Sequence, residues 1–189
     1  LDSPIQRKLD VLETMYMEFG AETEKARRLL PLLAETYGEE LKNNDKSEEF
    51  WKDYLNLCSS DQNCLFKANW GLAQTFFRKS DLTSAREHLR ICLKRANSKT
   101  EKNLTRYKLA RTYILQGKEQ KGQIWLQKVI DSQVENDLRS KAIFELADLY
   151  SQKNKYQKSK ELLESILDKH PNPRLVRVKL QHIEEKMKD

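Results

Sequence analysis

Residues that favour turns are scarce in this chain, which contains only five glycines and four prolines among 189 residues. That scarcity argues against long loops and against a turn-rich β fold. No apolar run approaches the roughly 18 residues that a transmembrane helix needs, so we expect no membrane span. What is present is 34% charged and 38% hydrophobic residues, a balance that suits thin helical layers better than one thick core.

Recognisable catalytic and cofactor motifs are also missing. The three histidines, His88, His170 and His182, lie far apart on different predicted helices. There is no glycine-rich phosphate loop, no Cys-x-x-Cys pair, no His-Glu-x-x-His motif and no nucleophile elbow. We therefore expect no enzymatic activity, no cofactor and no metal site.

Cysteine is limited to three residues. Cys58 and Cys64 flank a short polar segment that reads as the turn between two helices. Such a turn can bring two helix ends within disulfide distance, and a bridge would indicate an oxidising compartment. The alternative is a pair of unbridged thiols beside a turn. Cys92 lies in an apolar column of the sequence and is predicted to be a buried small hydrophobe.

The clearest positive signal is a repeat with a period of 37 residues, which is typical of stacked helical units. Four aligned groups of small or apolar residues share this spacing: Leu72-Ala73-Phe76, Leu109-Ala110-Tyr113 and Leu146-Ala147-Tyr150; Ala85, Gly122 and Ser159; Leu89, Leu126 and Leu163; Cys92, Val129 and Ile166.

The last of these units, residues 140–171, predicts two amphipathic helices around a bend at Asn154 and an end at Pro171. Its residues resemble the tetratricopeptide repeat in order: Ile143, Leu146-Ala147, Tyr150, Ser159, Leu163, Ile166 and Pro171. Two positions depart from that pattern, because Ala147 replaces the usual glycine and Ile166 replaces the usual alanine.

The resemblance implies an all-α solenoid of antiparallel helix hairpins. It suggests three repeats in residues 63–172, a capping helix in 173–189, and N-terminal helices with one degenerate repeat in 1–62. Since the usual period is 34, we expect the extra residues in the links near 96–102 and 133–138. Units of this length resemble those of bacterial cell-envelope tetratricopeptide proteins.

The N-terminal region fits the repeat less well. A first helix is predicted from Ser3 to Phe19, with Gly20 as its C-cap. A second is predicted over 22–42, with a kink or restart at Pro31. Residues 42–49 are interpreted as a connection before a third helix that carries Phe50 to Cys58. The stripe of the last helix, over 173–188, contains Val176, Leu180, Ile183 and Met187.

In the tetratricopeptide family the first helices of successive hairpins line a concave groove. The resemblance therefore places one set of residues on that face as candidate partner-binding residues: Lys67, Trp70, Gln74, Arg78, Tyr107, Arg111, Lys141 and Phe144. Trp70, Tyr107 and Phe144 occupy the same repeat position and would bury apolar side chains of a peptide or helix. The alternative is that these rings pack between neighbouring repeats. The Lys and Asn clamp of chaperone-tail binders is absent.

Charge is uneven along the chain, whose net charge is +6. Residues 10–53 contain twelve acids and six bases, whereas residues 90–111 contain eight bases and one acid. The basic stretch is either a solvated helix surface or a patch for RNA or another polyanion. The bases are lysine-rich and interleaved with apolar core positions, which favours a protein partner over nucleic acid.

These observations predict a non-catalytic scaffold that holds a partner protein, for example an acidic one, in a concave groove. Self-association through the open N-terminal end is a further alternative. A Cys58–Cys64 bridge would favour the periplasm or cell envelope, and reduced thiols would favour the cytoplasm. The first residue is Leu1, so this end carries no information about a signal peptide.

Overall fold

The computed structural model describes residues 3–19, 23–132 and 136–188, and every regular element within these ranges is helical. A π-helical turn, Thr36–Glu40, continues α2. The ten α-helices of the described residues are α1 (Pro4–Phe19), α2 (Thr23–Glu35), α3 (Asn44–Asn56), α4 (Gln62–Arg78), α5 (Leu82–Arg95), α6 (Lys99–Leu115), α7 (Glu119–Ile130), α8 (Asn136–Gln152), α9 (Tyr156–Ser165) and α10 (Pro173–Lys186).

The N-terminal helices correct part of the sequence prediction. Ser3 caps α1 as expected, since its Oγ accepts from the Gln6 N–H at 3.2 Å. The helix α2 runs through Pro31 without a restart. Residues 44–49 are helical rather than a connection, because the Asn43 side chain accepts from the Lys46 N–H at 3.1 Å and starts α3 there. The proposed C-cap at residue 20 and the helix start at residue 22 lie outside the described residues.

Three hairpins share one turn geometry. Ser80, Gly117 and Asn154 stand 37 residues apart and all have positive φ, at 62°, 71° and 54°. In each turn the following residue donates its N–H to a carbonyl five residues earlier: Asp81 to Phe76, Lys118 to Tyr113 and Lys155 to Tyr150, all at 2.9 Å. This closes the helix C-terminus and sends the chain back antiparallel. The predicted bend at Asn154 is confirmed.

Close approach within the hairpins explains the small-residue column. Ala85, Gly122 and Ser159 are all buried. A Cβ added to Gly122 would lie 2.5 Å from Ile114 Cγ1 and 3.3 Å from the Ala110 carbonyl oxygen. Ser159 uses the same proximity to donate its Oγ hydrogen to the Ala147 carbonyl at 2.8 Å.

The chain forms two compact units, Leu1–Asn97 and Ser98–Asp189. In the first unit, α2, α3 and α4 pack around Leu30, Trp51 and Leu72, and α5 packs on α4. In the second, α6 and α7 share a core with α8 around Leu126 and Leu146. The predicted all-α fold of helix hairpins is confirmed, whereas the proposed division into 1–62, 63–172 and 173–189 stays a prediction.

The link between α5 and α6 is shorter than predicted. It covers residues 96–98, because Ser98 and Glu101 form a capping box that starts α6 at Lys99. Residues 99–102 therefore belong to a helix. Of the other link, residues 133–135 lie outside the described part of the chain, and 136–138 belong to α8.

The final helix packs on the last hairpin. Asn172 caps it by accepting from the Leu175 N–H at 3.1 Å, and Val176 and Ile183 are fully buried against Leu163 and Ile166. Met187 lies beyond the helix and is 44% exposed, so its predicted place in the buried stripe is wrong. No helix in the described part of the chain is long and apolar enough to cross a membrane.

Candidate functional site

Four of the predicted partner-binding residues line a single cavity in the first unit. Lys67, Trp70, Gln74 and Arg78 follow one another along α4 at steps of three and four residues, which places them on one helix face. Across from them, α2 and its π-helical end contribute acids. The cavity has a volume of about 150 Å³, and we call it the tryptophan cavity; its lining residues are Glu35, Glu39, Trp51, Lys67, Trp70, Gly71, Gln74 and Arg78.

A glycine contact shapes the floor of the tryptophan cavity. Trp51 on α3 is only 4% exposed. A Cβ added to Gly71 would lie 2.1 Å from Trp51 Cε2, so the indole rests directly on the α4 backbone. Sequence reasoning missed both residues, although a lone glycine inside a helical pattern signals close packing.

Trp70 forms a wall of the same cavity. Its indole is half-buried and stacks on Phe66, with ring centroids 6.0 Å apart and planes inclined by 12°. Phe66 thus holds the ring from one side, and the cavity lies beside Trp70. The arrangement gives a partly exposed aromatic surface that can cover an apolar or cationic group.

Arg78 closes one end of the tryptophan cavity through contacts within the protein. Its guanidinium donates to Asn44 Oδ1 at 3.0 Å and to Thr75 Oγ1 at 3.1 Å, and it lies 3.8 Å from Glu39 Oε1. Burial lowers the pKa of Arg78. A Cβ at Gly38 would lie 2.4 Å from Arg78 Nη2, so that glycine leaves room for the guanidinium. No pattern in the sequence indicated this network.

In the second unit, Tyr107 and Arg111 on α6 converge on Glu145 of α8. The Tyr107 hydroxyl donates to Glu145 Oε1 at 3.1 Å, and Arg111 Nε lies 3.2 Å from the same oxygen. Burial, followed by the charge of Glu145, raises the pKa of Tyr107. These side chains hold two first helices of neighbouring hairpins together, which agrees with the packing alternative for Tyr107.

Phe144 and Lys141 lie on α8 in different surroundings. The Phe144 ring packs at 5.3 Å from the buried His170 ring, beside the core formed by Ile143 and Leu163. Lys141 is exposed. Trp70 belongs to the first unit and Tyr107 and Phe144 to the second, so a continuous aromatic column stays a prediction.

Cys58 and Cys64 form a disulfide, with Cα atoms 5.2 Å apart. The bridge joins the turn after α3 to the first turn of α4, the two helices that carry Trp51 and Trp70. Asp61 caps α4 between the cysteines by accepting from the N–H groups of Asn63 and Cys64. Cys92 is buried, as predicted.

Residues 90–111 are divided between the units. Within the first, Arg95 donates to Gln62 Oε1 at 2.9 Å. Within the second, Arg106 donates to Asn103 Oδ1 at 3.0 Å, and Arg111 pairs with Glu145. Several bases thus contact side chains of their own unit, and the polyanion alternative stays a prediction.

The histidines are dispersed. His88 stacks on Phe76 at 5.4 Å and its Nδ1 lies 2.9 Å from Asn69 Oδ1, whereas His182 is exposed. Burial lowers the pKa of His88. Among the described residues, no group of three His, Cys, Asp or Glu side chains is placed to hold a metal ion.

Comparison with known proteins places these helices in context. Residues 141–173 match the family model described as tetratricopeptide repeat. The crystal structure of BtubC (BKLC) from P. vanneervenii is similar with a TM-score of 0.79 and 14% identity, covering 100% of this chain and 86% of that one. The crystal structure of MamA is similar with a TM-score of 0.67 and 16% identity, covering 89% and 95%.

A third similar structure is a Signal Transduction ATPase with Numerous Domains protein with a tetratricopeptide repeat sensor, PH0952 from Pyrococcus horikoshii. Its TM-score is 0.65 at 21% identity, and the match covers 88% of this chain but 26% of that one. At such identities these structures show the fold alone. No curated protein matches the chain. Residues 141–173 thus match a tetratricopeptide repeat, and the recurrence of its residues every 37 positions and the shared helical fold agree with an array of such repeats.

Proposed function

We propose that this protein is a non-catalytic interaction scaffold that binds a segment of a partner protein at the tryptophan cavity. The observation that carries the proposal is the cavity itself, in which a partly exposed Trp70 stands over a floor of Trp51 and Gly71. Aromatic side chains that become buried when a partner binds dominate the energetics of many protein interfaces.

The candidate residues of the second unit contribute less to this proposal than Trp70. Tyr107 and Arg111 already contact Glu145, so a partner would gain from them only by sharing or replacing those bonds. Exposed Lys141 is available at the surface of α8. We therefore assign the anchor to Trp70 of the first unit.

Selection from a random peptide display library tests the proposal, followed by affinity measurements on the winning peptides. We expect Trp70→Ala to weaken them at least tenfold, because truncation of an aromatic anchor commonly costs about 2 kcal/mol or more. Ile124→Ala is the matched control, since Ile124 is 56% exposed and lies on α7 of the second unit. Peptides that bind equally to wild type and Trp70→Ala would contradict the proposal, provided that circular dichroism shows an intact helical fold.

We further propose an oxidising compartment, such as the bacterial cell envelope, as the site of action. The Cys58–Cys64 bridge supports this. Intact mass of the protein isolated from its native cells, after alkylation under denaturing and non-reducing conditions, should show a single labelled thiol. Labelling of all three cysteines would favour the cytoplasmic alternative.

A further inference from the structure

The charged side chains around the tryptophan cavity differ in whether they already have partners within the protein. Arg78, the positive group at one end, already lies 3.8 Å from Glu39 and donates to Asn44, Ser47 and Thr75. An acidic ligand would have to compete with these acceptors. Arg78 is therefore a poor attraction point for a carboxylate, whatever its formal charge.

Glu35 is the contrasting group. It lines the same cavity, four residues before Glu39 along the chain, and it is solvent-exposed. No ion pair joins Glu35 to another residue in the described ranges. Its carboxylate thus lines the cavity together with the two indoles and forms no ion pair within the described residues.

Two tryptophans next to a carboxylate are a suitable surface for a basic side chain. The aliphatic stem of lysine or arginine can lie on an indole while its cation faces the ring and the carboxylate. A purely apolar group would instead remove water from the Glu35 carboxylate without replacing its interactions, which is unfavourable. The cavity volume of about 150 Å³ suits one side chain, since a cavity of about that size accommodates benzene.

The charge of the surrounding part of the chain also favours a basic ligand. Residues 10–53, which include the helices α2 and α3 that contact α4, contain twelve acids and six bases. Lys67 is the opposing cation of the lining, but it is exposed on α4 and its long stem can turn into solvent.

On this basis we propose that the tryptophan cavity takes a basic side chain, lysine or arginine, from the partner, with Trp70 under its stem and Glu35 as its counter-ion. The inference rests on the proposed function, because it specifies the chemistry of the segment bound there. It gives the cavity a selectivity opposite to that of a groove built to attract acidic partners.

The direct test uses small probes rather than the unknown partner. The N-acetyl N-methylamides of lysine, norleucine and glutamate are titrated into ¹⁵N-labelled protein while the indole N–H signals are followed. Trp125, on α7 of the second unit, supplies an internal reference. We expect the lysine amide to shift the Trp70 signal saturably and to bind roughly two- to fivefold more tightly than the norleucine amide. The glutamate amide should bind most weakly.

Variants assign the effect to the carboxylate. Glu35→Gln should bring the lysine amide down to the affinity of norleucine. Glu49→Gln removes the same charge from an exposed residue of α3 that lies outside the cavity lining, and it should leave the affinity for the lysine amide unchanged. Lys67→Ala should leave lysine affinity equal or higher. Equal binding of lysine and norleucine, preference for glutamate, or the absence of saturable shifts would each overturn the inference.

The display selection separates this inference from the proposed function. Trp70-dependent peptides rich in lysine or arginine support both. Trp70-dependent peptides whose anchor is acidic or purely apolar retain the scaffold function and overturn the basic-anchor inference. If no selected peptide depends on Trp70, the proposed function fails, and the amide titration still decides whether the cavity prefers a cation.

Discussion

Replacement of Gly71 by alanine tests the packing that forms the tryptophan cavity. The new Cβ would lie 2.1–2.5 Å from three atoms of the Trp51 indole, whereas ordinary contact begins near 3.4 Å. The difference, 3.4 − 2.1 = 1.3 Å, must be absorbed by a ring that is 4% exposed, or by the α4 backbone. Overpacking of this kind lowers the free energy of unfolding by about 1–3 kcal/mol. The better helix propensity of alanine offsets about 1 kcal/mol of this loss.

We therefore expect Gly71→Ala to lower the free energy of unfolding by about 1 kcal/mol, which corresponds to a fall in Tm of about 2–4 °C for a chain of this size. A double-mutant cycle with Trp51→Leu isolates the contact. In the Trp51→Leu background the clash is gone, so the same alanine should stabilise the protein by up to about 1 kcal/mol.

Thermal and urea unfolding of the four proteins measure these changes. The expected coupling between the two positions is about 2 kcal/mol, which is the difference between about 1 kcal/mol of destabilisation in the wild-type background and about 1 kcal/mol of stabilisation in the Trp51→Leu background. Stabilisation by Gly71→Ala in the wild-type background, or equal effects in both backgrounds, would refute the close seating of the indole on α4.

Other consequences concern the elements around the cavity. Reduction of Cys58–Cys64 should lower the free energy of unfolding by about 2 kcal/mol, because the bridge closes only a short loop, and calorimetry with and without reductant measures this. Arg78→Met should cost about 2 kcal/mol in urea unfolding, since it removes charged hydrogen bonds that are partly buried. Burial lowers the pKa of His88 in the folded protein, so stability should be fully present above the unfolded value of about 6.5 and be lost as the pH falls below it. Thermal unfolding between pH 7.5 and 5 should show less of this loss in His88→Gln, whereas His182→Gln should behave as wild type.

Control variants separate these effects from other causes. The Cys58→Ala, Cys64→Ala double variant should be insensitive to reductant, and a response there would show that Cys92 or another effect is responsible. Lys67→Met is the control for Arg78, because an exposed lysine on the same helix face should change stability by less than about 0.5 kcal/mol. An identical pH profile for wild type and His88→Gln would contradict a depressed His88 pKa.

The period of the sequence was sufficient to locate the hairpins. Turn conformation and close helix contacts within a hairpin depend on residues near one another along the chain. The same conformation therefore recurs wherever the same types of residue recur. Ser80, Gly117 and Asn154 adopt the same positive φ at the same repeat position, and Ala85, Gly122 and Ser159 all occupy the tight helix contact. The N-terminal boundaries were less predictable, because Asn43 starts α3 through one side-chain bond that polar composition alone does not reveal.

The candidate site was predictable only in part. Its α4 residues share a face because of helical spacing, so Lys67, Trp70, Gln74 and Arg78 could be grouped from sequence. Their partners could not, because Glu39 and Glu145 reach Arg78 and Arg111 from helices distant in the chain.

By itself, then, the sequence determined the helical repeat, its turns and the face of α4, since these depend on contacts between residues close along the chain. Only the tertiary structure decided which charges are already neutralised. It also decided that Trp51 lies on Gly71 to form a floor, because the relative position of α2, α3 and α4 is set by packing among side chains far apart in sequence.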